Sequence, residues 1–229
     1  MTDYREIVEK LRTNCFSNDL DKSTVIKTLI GIANLPLGRL SLYQTGICDF
    51  ICEKLVLEED SIEFITDLCV LIGYLSISDI CRPILFKNNV VYILVCALKR
   101  VGNDSINYKL KIVEAIKYLC QEKMIILQLI EAGILSQLCS ILEQVSSDVE
   151  KKLISFCIYR ISYLAEDKTT AVQCGCIDLM YRVAESISSK SIQSEIFTQM
   201  NYFISNEHLD SRYPIYRFWR TDFQTYLNT

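Results

Sequence analysis

Few side chains in this sequence could carry out chemistry. His208, in "SNEHLD", is the single histidine among 229 residues, so an imidazole base or hydrolytic triad would have to be built on it. Neither a G-x-S-x-G elbow nor a papain-like cysteine context accompanies it, and His208 reads as an exposed loop residue. Cysteine is plentiful, at eleven residues. "CGC" at 174–176 could seed a soft-metal or redox site, because thiolates bind zinc and copper well. No second Cys or His pair stands at zinc-site spacing from it. Cys48 and Cys52 fall at i, i+4 on a predicted helix, the spacing of two packed thiols. No window pairs the few glycines into a P-loop or dinucleotide fingerprint. The expectation is a chain that is not an enzyme, with no catalytic residue, metal, cofactor or small-molecule substrate.

Composition narrows the remaining classes. Half the residues are hydrophobic against 23% charged, which argues for a packed core. Seven glycines and three prolines are too few for the turns of a many-stranded fold, so helix is favoured. A net charge of −4 is a poor match for a nucleic-acid surface. The longest apolar run, "VVYILVCAL" at 90–98, is half the length of a membrane span, and no membrane partner is expected. "MTDYREIVEK" is not a secretory leader. Most cysteines lie inside apolar runs as small hydrophobes, so free thiols in a cytoplasmic or nuclear, reducing compartment are expected.

The elements that would position any site come from a repeat. "TGICDFICEKL" (45–55), "NNVVYILVCAL" (88–98), "AGILSQLCSIL" (132–142) and "CGCIDLMYRVA" (174–184) superimpose on Gly46, Asn89, Gly133 and Gly175, at separations of 43, 44 and 42 residues. Glycine and asparagine are the residues that best tolerate a left-handed backbone, so each marks a bend between two helices. Ser61, Ser105, Ser147 and Ser191 recur in phase as predicted N-caps, with Ser23 upstream. "SDVE" offers Glu150 as the partner of a capping box at Ser147. In the 105–144 copy, "SINYKLKIVEAIKYLC" is a long amphipathic helix, "EKMIILQLIEA" a short one and "GILSQLCSILEQ" a third.

Three helices in about 43 residues with a glycine at the first bend resemble the armadillo repeat, and HEAT repeats are the near alternative. The resemblance implies an all-α fold, a right-handed α-solenoid of armadillo-like three-helix repeats. The expected organisation is an N-terminal capping helix over 1–20, four to five repeats over 21–205, and an aromatic C-terminal capping helix over 206–229. Stacking is what buries the apolar face of each repeat. It further implies that the long third helices line a concave groove. Importin-α- and β-catenin-like members carry an asparagine near the end of that helix, which binds the backbone of an extended peptide.

Aligned on Leu35, Leu75, Leu119 and Leu164, the residues at that place are Asn34, Tyr74, Tyr118 and Tyr163, with Phe203 in the fifth copy. Only Asn34 keeps the family's asparagine. One turn earlier the import receptors' tryptophan is replaced by Ile30, Val70, Glu114 and Tyr159, which argues against nuclear-import cargo. The expected partner groove therefore comprises Asn34, Tyr74, Glu114, Tyr118, Tyr159 and Tyr163, with Trp219 a secondary candidate. The tyrosines read equally as interface anchors or as packing between repeats. The expected function is a non-catalytic adaptor or scaffold that binds one or more proteins through its concave groove or an end of the solenoid, the partner offering an extended or helical segment. The alternatives are an Hsp70-type chaperone cofactor, as in some short armadillo chains, and a structural subunit of a larger assembly. The mean hydropathy of +0.21 mildly favours the last.

Overall fold

The structure, a computed structural model, describes residues 4–13, 19–56, 61–102, 105–166 and 168–204. Every regular element among them is a helix. Two lead the chain, α1 (Arg5–Thr13) and α2 (Asp19–Ala33). Four triads follow: α3 (Pro36–Tyr43), α4 (Ile47–Val56) and α5 (Ile62–Ser76); α6 (Arg82–Lys87), α7 (Val90–Arg100) and α8 (Ile106–Leu119). The third is α9 (Lys123–Glu131), α10 (Ile134–Leu142) and α11 (Asp148–Ala165), and the fourth α12 (Lys168–Gln173), α13 (Cys176–Glu185) and α14 (Lys190–Ile204). The third helix of each triad packs on the third helix of the next, as α5 does on α2 and α8, and α11 on α8 and α14. The middle helices form a second layer, α4 on α7 and α10 on α13. The fold is an all-α solenoid.

The bends are where the repeat places them. Gly46, Asn89, Gly133 and Gly175 have φ of 72°, 55°, 76° and 70°, all left-handed. Each ends the first helix of a triad and turns the chain into the second. At three of the four sites glycine removes the Cβ penalty of that conformation, and asparagine tolerates it at the other. Prolines open α3 and α6, at Pro36 and Pro83, where a missing N–H costs nothing.

One continuous apolar core runs through all four triads, from Ile26 and Leu29 in α2 to Met200 and Phe203 in α14. Polar links cross between repeats above it. Ion pairs join Lys27 to Glu63 (3.2 Å), Lys123 to Glu166 (2.9 Å) and Lys152 to Glu195 (2.6 Å). Arginines cap helix ends, where unpaired carbonyls carry the negative pole of the dipole. The Arg39 guanidinium donates to the Ala33 carbonyl (2.9 Å), and Arg82 donates to the Ser76 carbonyl (3.0 Å) while pairing with Asp79 and Glu122.

The serine pattern holds only in part. Ser61 caps α5, its Oγ accepting from the Phe64 N–H (3.3 Å). Ser105 and Ser147 occupy the N-cap position without a side-chain bond, so the capping box expected at Ser147 is not formed. Asp148 instead reaches across to the next repeat, accepting from the Ser188 and Ser189 N–H groups at 3.1 Å each. Ser191 lies inside α14, whose first turn is met by Ser189, with Ile192 N–H donating to its Oγ (3.5 Å). Ser23 lies inside α2.

Candidate functional site: the face of the third helices

The outward faces of α8, α11 and α14 enclose an open cleft of about 720 Å³. Its floor is apolar: Leu110 from α8, Val149, Leu153 and Phe156 from α11, and Ile192 from α14. Its rim is charged with both signs, Lys111, Glu114 and Lys117 on one side and Glu150, Lys152 and Glu195 on the other. Leu110, Leu153 and Ile192 are partly buried against the core and leave one edge to the cleft, while Val149 is 68% exposed.

The tyrosines stand toward the C-terminal ends of the third helices, Tyr74 on α5, Tyr118 on α8 and Tyr159 and Tyr163 on α11. Tyr74 and Tyr118 meet across α5 and α8 with ring centroids 5.8 Å apart. Tyr159 and Tyr163 of α11 are 5.6 Å apart, and both rings meet Tyr202 of α14, at 5.9 and 5.0 Å. The Tyr202 hydroxyl donates to the Ser162 carbonyl (3.4 Å). These rings therefore weld adjacent repeats while keeping an open edge. Tyr163 is exposed and Tyr74, Tyr118 and Tyr159 are half-buried. Partial burial raises the phenol pKa of both Tyr74 and Tyr118, and the Glu114 carboxylate adds to the rise. Lys117 lies 4.8 Å above the Tyr118 ring, a cation–π distance.

The register differs from the one expected. Leu75, Leu119, Ile161 and Phe203 are all fully buried and follow one another at 44, 42 and 42 residues. The residues just before them are Tyr74, Tyr118, Arg160 and Tyr202, so Arg160 takes the third place and Tyr202 the fourth. Aligning on Leu164 misses by three because α11 spans 18 residues where α8 spans 14. Arg160 donates from Nε to the Cys120 carbonyl at the end of α8 (3.2 Å). Tyr163 sits a turn further on, and Phe203 is core.

Asn34 is exposed in the turn after α2, its carbonyl taking a hydrogen bond from Arg39 (3.2 Å). Of the six groove residues, then, Tyr74 with Tyr118 and Tyr159 with Tyr163 form close pairs. Glu114 lines the cleft and Asn34 lies at the other end. Trp219 and His208 lie outside the described residues.

Phe156, Leu153 and Val149 were not singled out from the sequence. The 42-residue step from Ser105 to Ser147 also carries Glu114 onto Phe156, and that step was the available signal. Among the described residues no cluster of three metal-ligating side chains occurs, and no single helix is long and apolar enough to cross a membrane. Cys48 and Cys52 are both buried on α4. Burial, with Asp49 and Glu53 nearby, pushes the Cys52 thiol up to about 12.

No family model matches the sequence, and the search of curated proteins finds no match. Solved structures do match. A designed armadillo repeat protein superimposes with a TM-score of 0.73 at 18% identity, over 89% of this chain and 84% of the other. Another, in complex with the peptide (KR)4, gives 0.71 at 19% identity over 87% and 81%. A structure from a study of the interaction between cadherin and β-catenin gives 0.70 at 16% identity, covering 89% of this chain but 38% of that one. At these identities the likeness concerns the fold: the chain is an armadillo-like repeat solenoid.

Proposed function

We propose that this chain is a non-catalytic scaffold that holds a segment of a partner protein against the face of its third helices, in the cleft between α8, α11 and α14. The observation that carries the reading is the cleft itself, with an apolar floor of Leu110, Val149, Leu153 and Phe156 and a rim of both charges. An apolar trough edged by separated charges suits an amphipathic helix or an extended segment with alternating apolar side chains. The half-open tyrosines of the third helices add rigid amphipathic area of the kind that anchors interfaces. Two of the similar solved structures come from work on peptide or protein complexes. Hydrogen-exchange mapping of the chain with and without its captured partner tests the reading. Protection should centre on α8, α11 and α14, and protection confined to the first or middle helices would refute it.

A second reading rests on a different surface. Leu37 on α3, Ile80 just before α6 and Met124 on α9 are 80%, 48% and 60% exposed, at steps of 43 and 44 residues. Leu40 and Leu127 extend the stripe. Exposed apolar patches of this kind mark contact surfaces, which favours a subunit role in a larger assembly.

A further inference from the structure

Ten described cysteines carry free thiols, and two of them are in sulfur-to-sulfur contact across a repeat boundary. Cys139 on α10 and Cys176 at the start of α13 have their Sγ atoms 3.3 Å apart. The two helices are held together by their apolar neighbours, Leu135 and Leu138 on one and Ile177 and Met180 on the other, all nearly or fully buried. A disulfide needs about 2.05 Å between the sulfurs, a closing of little more than 1 Å from the observed contact.

The two thiols are not equivalent. Cys139 is half-buried and reachable from solvent, whereas Cys176 is fully buried. The sulfur–sulfur contact with Cys176 holds the Cys139 thiol below its ordinary value, against the opposing effect of burial. The same contact, with burial behind it, pushes Cys176 up. A reachable thiol with a lowered pKa beside a buried one is the arrangement of an attacking and a resolving cysteine. Two other described pairings differ: Cys48 and Cys81 interact with each other, but both are buried. Cys174 is half-buried and stands against Ser136, Oγ to Sγ 3.7 Å.

We propose that Cys139 and Cys176 are a reversible redox-modification site whose oxidant is a peroxide and whose product is a disulfide tying the third repeat to the fourth. The Cys139 thiolate attacks one peroxide oxygen, the O–O bond breaks, and the leaving hydroxide takes a proton to become water. The sulfenic acid formed on Cys139 is then attacked by the Cys176 sulfur. The S–O bond breaks, and the Cys176 proton leaves with the hydroxide as a second water. Two thiols lose two electrons and hydrogen peroxide is reduced to two waters. A dithiol reductant reverses the change by thiol–disulfide exchange.

The test treats the folded full chain with hydrogen peroxide, blocks remaining thiols in denaturant, and maps the peptides. Two of the eleven thiols should disappear, with a Cys139–Cys176 linkage that dithiothreitol removes and that Cys174→Ala leaves intact. In Cys176→Ser the sulfenic acid on Cys139 should persist and be trapped by dimedone. Retention of both thiols at peroxide levels that oxidise an exposed model thiol would overturn the proposal. So would a linkage of Cys139 to Cys174, or unchanged loss of the Cys176 thiol in Cys139→Ser.

Discussion

Asp67 is a buried acid that its surroundings satisfy only in part. It is 4% exposed on α5, its Oδ2 has no hydrogen-bond partner, and Lys111 stands 3.6 Å from Oδ1. Burial raises its carboxyl pKa above the usual carboxylate range, and Lys111 and Lys27 only partly offset this. An acid with a raised folded pKa adds stability that is complete below its unfolded pKa and is lost as pH rises through the folded value. Asp67→Asn should therefore raise the melting temperature at pH 7, with the gap closing toward pH 4. A lower melting temperature at pH 7 would mean that the Lys111 pair outweighs burial. The bend residues make a second prediction at this scale. A Cβ at Gly133 meets nothing within 4 Å, so only the left-handed backbone opposes a side chain there. Gly133→Val should cost about 1–2 kcal/mol, and Gly133→Asn clearly less, since Asn89 already fills the same place; urea midpoints measure both.

At the scale of elements, α5 and α8 approach each other closely at Gly73. A Cβ on Gly73 would lie 2.8 Å from Ala115 Cα, 3.0 Å from its Cβ and 3.3 Å from Tyr118 Cδ2. Gly73→Ala should then force the helices apart at about 1–3 kcal/mol, and adding Ala115→Gly should recover part of the loss in a double-mutant cycle. Equal, additive losses would place the strain elsewhere. Gly73 also explains what the sequence made legible and what it did not. The bends at Gly46, Gly133 and Gly175 were readable because a left-handed backbone is a local demand with its own residue preference. The place of Tyr118 against Gly73 depends on a helix forty residues away, and no local pattern reports it. The same limit explains Ser147, whose expected capping box yields to Asp148 reaching the next repeat.

For the whole molecule, the period fixed the architecture because an isolated repeat has no core, and stacking at constant spacing is the only way to bury its apolar face. The binding face was less legible. A partner surface is what packing leaves uncovered, and a three-residue slip at α11 turns each aligned position by about 60° and shifts it by nearly one turn. That slip put Tyr163 where Arg160 belongs and Tyr159 where Phe156 belongs. The central claim is that the cleft between α8, α11 and α14 receives a partner segment. Its most direct test is affinity capture from the native cell with the wild-type chain and with a Glu114→Lys, Val149→Glu variant. Both residues are exposed, so each change should move stability by about 0.5 kcal/mol or less, verified by melting temperature. Interface anchors commonly contribute about 1–3 kcal/mol, and tenfold in affinity is about 1.4 kcal/mol. The account predicts that the variant keeps its fold and loses the partner by roughly tenfold or more. A folded variant that captures the same partner at the wild-type level would contradict it.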